Sequence, residues 1–165
     1  VYKRQAYIGI GSNLGNRVEN LHSALRLIDG IMTLEQLSGT YETAPKYVLD
    51  QPPFLNMVVG GKTLCDPLPL LETLKSFEFE IGREPSEKRY GPRVIDLDIL
   101  FYGNDIVNMP GLSIPHPFIA EREFVLRPLA EIAPGHRHPV LDQTVSELLS
   151  LLKGASEAQV ISIDV

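Results

Sequence analysis

The hydrophobic period of this chain switches repeatedly along its first hundred residues, and that order of switches limits the fold more than any other feature. Segment 6-AYIGIGSN-13 alternates and then meets Gly and Asn, so it reads as a strand ending in a turn. In 16-NRVENLHSALRLIDG-30, Asn16 stands at a cap with Glu19 three residues on. Val18, Leu21, Leu25 and Ile28 share one helical face there, and Gly30 stops the helix. Residues from about Thr33 to Thr43 look extended, and 54-FLNMVVGGKTL-64 is a further strand. Segment 66-DPLPLLETLKSFEFEIGR-83 is a helix, with Asp66 as cap, Pro67 in the first turn, and Leu71, Leu74, Phe77 and Ile81 on one face. The strand 91-GPRVIDLDILFYG-103 follows. Strand, helix, strand, strand, helix, strand is the order of a ferredoxin-like α+β sandwich, a mostly antiparallel sheet with one helical layer packed on it.

The connections fit that plan. Segments 44–53 and 84–92 are rich in Pro and polar residues and read as surface loops bracketing one end of the sheet. A Pro/Gly-punctuated region runs to about His116, a short helix lies near 128-PLAEIA-133, and a last one near 144-TVSELLSLLKG-154 opens with Thr144 and Glu147 in capping-box positions. The chain of 165 residues reads as a single domain, residues 1–165. Its start at Val1 and its tail 155-ASEAQVISIDV-165, which holds a short strand-like run, suit a domain excised from a longer protein.

Within 91–103, period-two alternation sends Ile95, Leu97, Ile99 and Phe101 to one face and Asp96 and Asp98 to the other. Two carboxylates on successive same-face positions lie roughly 7 Å apart and repel each other. A hydrated outer face would tolerate them, but a divalent cation would make the pairing favourable. Mg²⁺ takes one or two carboxylates together with substrate phosphates, and a pair so spaced suits two ions. The neighbourhood supports the cation. Arg83, Lys88, Arg89 and Arg93 lie just upstream, and His116 and Arg122 lie downstream. Carboxylates flanked by arginines are what a polyphosphate site requires.

Other classes fare worse. The net charge of −6 argues against a nucleic-acid binder. No run approaches the roughly 18 apolar residues of a membrane span. No G-x-x-x-x-G-K-[ST] loop is present, so a P-loop enzyme is disfavoured. A regulatory or RNA-binding sandwich would have no use for D-x-D beside an arginine cluster. An ordinary phosphotransferase or nucleotide hydrolase on the same site stays open, with ADP rather than AMP as its product. Cys65, the single cysteine, forms no internal disulfide and reads as a packed side chain of a protein in a reducing compartment. His136 and His138, in G-H-R-H-P, read as surface residues.

The segments 82-GR-83, 91-GPRVIDLDILFYG-103 and 114-IPHPFIAEREFVLRPLAEIAP-134, with 8-IGIGSNLGNR-17 and 51-QPPFLNMVV-59, resemble the 6-hydroxymethyl-7,8-dihydropterin pyrophosphokinases of folate biosynthesis. The likeness runs from about Ala6 to Leu149. It implies an intracellular enzyme, cytoplasmic or in an organelle matrix, that moves the β,γ-diphosphate of ATP onto the hydroxymethyl group of a reduced pterin and releases AMP. It implies two Mg²⁺ ions on Asp96 and Asp98, with Arg83 and Arg93 in the catalytic set. ATP would meet Arg83, Arg93, Ile99, Ser113, His116 and Arg122. The pterin would lie between Phe54 and Phe124, its edge read by Asn56, with Thr43, Ala44 and Tyr90 assisting. The two loops would close over it. The resemblance also implies fusion to, or association with, dihydropteroate synthase or dihydroneopterin aldolase, and neither nucleic acid nor membrane as a partner. Pro85 and Gly111 stand where relatives often carry basic residues that serve ATP.

Overall fold

A computed structural model describes residues 3–43, 52–82, 92–152 and 160–163. The chain runs β1 (Arg4–Ser12), α1 (Arg17–Asp29), β2 (Thr33–Leu37), β3 (Thr40–Thr43), β4 (Phe54–Thr63), α2 (Pro67–Ile81) and β5 (Asp96–Tyr102). Then come β6 (Val107–Met109), β7 (Leu112–Ile114), a 3-10 turn at Ile119–Glu121, α3 (Glu123–Ile132), α4 (Val145–Leu152) and β8 (Val160–Ile163). The main sheet has the order β5-β1-β4-β3-β8, with β2 on the other half of β4, and every pairing is antiparallel. β2 and β3 are the one extended segment read from the sequence, broken at Ser38–Gly39. Ser38 keeps the break attached: its N–H donates to the Val58 carbonyl and its Oγ accepts from the Val58 N–H, both at 2.9 Å. With β2 and β3 taken together, the ferredoxin-like order is as expected.

Local chemistry sets the helix limits. Asn16 Oδ1 accepts from the Glu19 N–H at 3.1 Å and opens α1. Thr144 and Glu147 complete a reciprocal capping box at α4, each bond 3.1 Å long. Asp66 stands at the cap position of α2, but its side chain makes no capping bond; Pro67, whose φ already suits the first turn, opens the helix. Gly82 ends it at φ +129°, a conformation that side chains disfavour.

Two cores flank the sheet. In the first, α1 and α2 press Leu21, Ala24, Ile28, Leu70 and Leu74 onto Ala6, Ile8, Ile10, Leu55, Met57, Val59, Leu97 and Ile99. Cys65 packs at its rim. In the second, α3 and α4 press Leu126, Leu129, Val145 and Leu148 onto Tyr7, Val58, Leu100 and Phe101. The single helical layer expected from the sequence is therefore half of the arrangement. The alternate positions of the strands are apolar at one end of the sheet, and they need a cover of their own.

Phe101 belongs to this second core, not to the face of Ile95, Leu97 and Ile99. The pairing of β1 with β5 explains the difference. Tyr7 lies opposite Phe101, but the next residue, Ile8, lies opposite Ile99, so Leu100 is an extra residue. This β-bulge shifts the alternation by one position. Beyond the bulge, the short strands β6 and β7 form a hairpin turning at Pro110–Gly111, with Gly111 at φ +81°. α3 starts at Glu123, five residues before the Pro that had marked its start in the sequence.

Candidate functional site

At the end of the sheet where β5 begins, the second face carries polar side chains among the described residues. Its floor follows from the register. Asp98 lies beside Gly9, and Gly9 beside Val58; Asp96 lies beside Gly11, and Gly11 beside Asn56. Thr43, on β3, is buried and accepts a 2.8 Å hydrogen bond from Asn56 Nδ2. The row Asp96–Gly11–Asn56 spans two strand spacings, about 10 Å. Gly11 keeps that floor flat. A Cβ there would stand 2.9 Å from Asn56 Oδ1 and 3.8 Å from the Phe54 ring. Carboxylates at one end and an amide at the other are thus separated by bare backbone, on which a flat ligand could rest.

The strand ends around this floor are tied together by two asparagines. The Arg93 N–H donates to Asn13 Oδ1 at 2.7 Å, the Asn13 N–H donates to the Arg93 carbonyl at 3.0 Å, and Asn13 Nδ2 reaches the Pro52 carbonyl at 3.0 Å. Asn20 Nδ2 donates to Ser12 Oγ and to the carbonyls of Leu14 and Val94. The G-S-N-L-G stretch is therefore a clamp that sets Arg93 beside Asp96. The Arg93 side chain is largely buried, and its Nε lies 4.0 Å from Asp96 Oδ1. Sequence reasoning missed Asn13 and Asn20, because their partners are distant in the chain.

His116 enters from the loop after β7. Its N–H donates to the carbonyl of the bulged Leu100 at 3.0 Å, and its Nδ1 accepts from the Phe118 N–H at 3.2 Å. That second bond leaves the proton of the neutral ring on Nε2. Burial pushes the His116 pKa below its ordinary value; Arg122 and Lys75 push the same way, and Asp98 opposes them. At neutral pH the ring is an uncharged donor. Lys75, on α2, is thus a cation near the site that the sequence reading did not select. Arg122 lies over the rings of Phe118 and Phe124, at 5.1 and 5.7 Å.

Among the other expected residues, Phe54 is half-buried at the start of β4, and Phe124 is half-buried in the first turn of α3. The Ile99 side chain is sealed in the first core, so only its backbone could meet a ligand. Ser113 is exposed on β7. Arg83, Ala44 and Tyr90, with Lys88 and Arg89, lie outside the described residues, as do the loop segments 44–51 and 83–91. Among the described residues no set of three or more His, Cys, Asp or Glu gathers as a metal cage. Two carboxylates on one face suit a magnesium ion whose remaining ligands come from phosphates and water.

His136 and His138 are not surface residues. Their rings pack on Phe101 at 4.4 and 5.6 Å, and His136 also meets Tyr7 at 5.2 Å. His138 Nδ1 accepts from the N–H groups of Val140 and Leu141. Burial lowers the pKa of both rings. Below the ordinary histidine value of about 6.5, the unfolded chain takes up protons that the folded chain refuses. Stability is therefore full above that value and falls as pH drops below it toward the folded-state pKa values. Thermal melts at about pH 7.5 and about pH 6 should show a Tm lower by a few degrees at the acid end. His136→Phe should reduce that difference, and an unchanged difference would remove these rings as its source.

Known proteins share this chain's sequence pattern and its fold. The family described as 7,8-dihydro-6-hydroxymethylpterin-pyrophosphokinase (HPPK) matches residues 7–134. The chain is 37% identical over 141 residues to the 2-amino-4-hydroxy-6-hydroxymethyldihydropteridine pyrophosphokinase of Aquifex aeolicus, covering 86% of this chain and 88% of that one. It is 48% identical over 129 residues to the Folate synthesis bifunctional protein of Arabidopsis thaliana, which takes in 78% of this chain but 27% of that protein. This chain thus spans about a quarter of that longer relative. The fold is also similar to that of Plasmodium falciparum HPPK-DHPS with pteroate, at a TM-score of 0.77 and 19% identity over 93% of this chain and 46% of the other. A matched segment that runs from β1 to the end of α3 and contains the whole of the described floor means that the chain belongs to the HPPK family.

Proposed function

We propose that this chain transfers the β,γ-diphosphate of ATP to the hydroxymethyl oxygen of 6-hydroxymethyl-7,8-dihydropterin, releasing AMP, as a step of folate biosynthesis. The observation that carries the reading is the row Asp96–Gly11–Asn56, with a carboxylate pair at one end and an amide anchored by Thr43 at the other. It suits a polyphosphate and a flat heterocycle held end to end.

In this reading the pterin lies on the glycine floor between Phe54 and Phe124. Asn56 faces its edge as donor and acceptor, with Thr43, Ala44 and Tyr90 completing the pocket. Arg83, Arg93, His116 and Arg122 bind phosphate oxygens, the arginines as charged forks and His116 through Nε2–H. Two Mg²⁺ ions, held by Asp96 and Asp98 when bound, would neutralise phosphate charge and make the β-phosphorus more electrophilic. The pterin oxygen then bonds to that phosphorus, the bond from phosphorus to the α–β bridging oxygen breaks, AMP departs with that oxygen, and the hydroxyl proton passes to solvent. Positioning and charge complementarity supply the acceleration, so no side-chain base is required.

We read residues 1–165 as one pyrophosphokinase domain of a longer folate-pathway protein, covalently joined to dihydropteroate synthase or dihydroneopterin aldolase or associated with one of them. A relative named as a bifunctional folate-synthesis protein and the HPPK-DHPS fold neighbour support this. An intracellular setting, cytosol or organelle matrix, accords with a 47% identical relative named mitochondrial. The test is to incubate the protein with ATP, Mg²⁺ and the reduced pterin and to separate the nucleotides. AMP formed only when pterin is present is the expected result. ADP would overturn it in favour of a phosphotransferase, and absence of turnover would count against an active domain.

A further inference from the structure

α2 carries an anomaly on its buried face. Leu70, Leu74 and Glu78 are its buried residues, spaced at i, i+4 and i+8, and the last of them is a carboxylate with 2% exposure. A leucine at that position would continue the apolar stripe, and a buried carboxylate is costly unless something charged or polar answers it. Lys75 answers in part, with Nζ 3.4 Å from Glu78 Oε1, but Lys75 is itself half-exposed. The second answer lies in the sheet. Glu78 Oε2 accepts a 2.7 Å hydrogen bond from the backbone N–H of Leu97.

Leu97 is the residue between Asp96 and Asp98. Among the described residues β5 is an edge strand, with β1 as its neighbour in the sheet order. An edge strand leaves alternate N–H groups without a ladder partner. β5 begins at Asp96, immediately after the stretch 92–95 that Asn13 and Asn20 tie to the first turn, and the Glu78 bond is the next hold along the strand. A charge-assisted bond from a helix to this one amide is shorter and stronger than a neutral one. It fixes the peptide plane between Asp96 and Leu97, in the strand segment from which both aspartates project.

We propose that Glu78 is a positioning residue for the Asp96–Asp98 pair: through the Leu97 N–H it holds the edge strand in the orientation from which both carboxylates can bind divalent cation. This rests on the metal reading of that pair given above. The partner is the hard divalent cation of the nucleotide complex. Groups that position metal ligands typically change metal affinity by about 10- to 100-fold when removed.

The experiment compares wild type with Glu78→Gln and Glu78→Leu by three measurements. These are Mn²⁺ affinity by electron paramagnetic resonance in the presence of a non-hydrolysable ATP analogue, hydrogen exchange of the Leu97 amide, and Tm. Glu78→Leu is expected to weaken Mn²⁺ binding about tenfold or more. It should also speed Leu97 exchange while leaving Tm equal or higher. Glu78→Gln keeps an acceptor of the same size and should fall between the two. If Glu78→Leu fails to fold, the comparison of Glu78→Gln with wild type decides. Unchanged Mn²⁺ affinity and unchanged Leu97 exchange overturn the proposal, as does a loss of Tm that tracks the loss of affinity across the series. Asp98→Asn separates the two levels. If it leaves Mn²⁺ binding intact, the metal reading itself fails. If it abolishes binding while the Glu78 variants do not change it, only the role of Glu78 is lost.

Discussion

Asp98→Ala, and separately Asp96→Ala, should slow AMP formation by about a thousandfold while leaving Tm unchanged or slightly raised. The first half follows from charge. A triphosphate brought beside an unneutralised floor gains no stabilisation as charge builds on the leaving oxygen, and the arginines alone answer only part of that charge. The second half follows from the register. Both side chains point away from the first core, opposite two glycines, so neither variant opens a cavity. Removing one of two like charges on adjacent same-face positions relieves repulsion. Single-turnover rates at saturating ATP and Mg²⁺, set beside thermal melts, are the measurement. Normal activity in both variants would sink the assignment.

Asn56→Ala should raise the KM for the pterin about a hundredfold or more and leave the KM for ATP within a few-fold of wild type. A site built to pair donors and acceptors at a heterocycle edge loses far more than one hydrogen bond when an anchor is cut, because the ligand's polar groups enter it unpaired. Asn56 suits that role because it is buried and its Nδ2 is committed to Thr43, which sets the amide's orientation. Asn56→Asp should fail almost as badly, since a carboxylate cannot donate. Equal losses for pterin and ATP would instead assign Asn56 to packing of the floor. Isothermal titration with each ligand separately distinguishes the two.

Much of this architecture was legible in the sequence, and the reasons are local. The limits of α1 and α2, the alternation of β1 and β4 and the capping box of α4 are encoded within a few residues of where they act. The common face of Asp96 and Asp98 was equally legible, because period two depends only on the strand itself. Features set by distant partners were not. The clamp of Asn13 and Asn20 exists only once residues 92–94 arrive beside the first turn. The burial of His136 and His138 depends on the Phe101 ring, which period-two reasoning had assigned to the opposite face. Pro128, taken as a helix start, lies inside α3, whose apolar face packs strongly enough on the sheet to accept it. Glu78 is not singled out by the sequence, because its partner is the Leu97 N–H in β5, on a separate element.

The extra residue at Leu100 works like a frame shift within one strand. Upstream of it the outward frame carries acids and faces solvent; downstream the same frame carries Leu100 and Phe101 and is sealed under helices. A seven-residue strand thereby serves two tenants with separate rules of substitution. Replacements among Leu126, Leu129, Val145 and Leu148 answer to the volume of the second core, since all four belong to it and none to the core of Leu97 and Ile99. Because Leu100 is the supernumerary residue, its removal would pair Ile99 and Phe101 regularly against Ile8 and Tyr7 and leave Phe101 in the second core. What would be lost is the Leu100 carbonyl that accepts from the His116 N–H, so the extra residue is what ties this strand to the histidine loop.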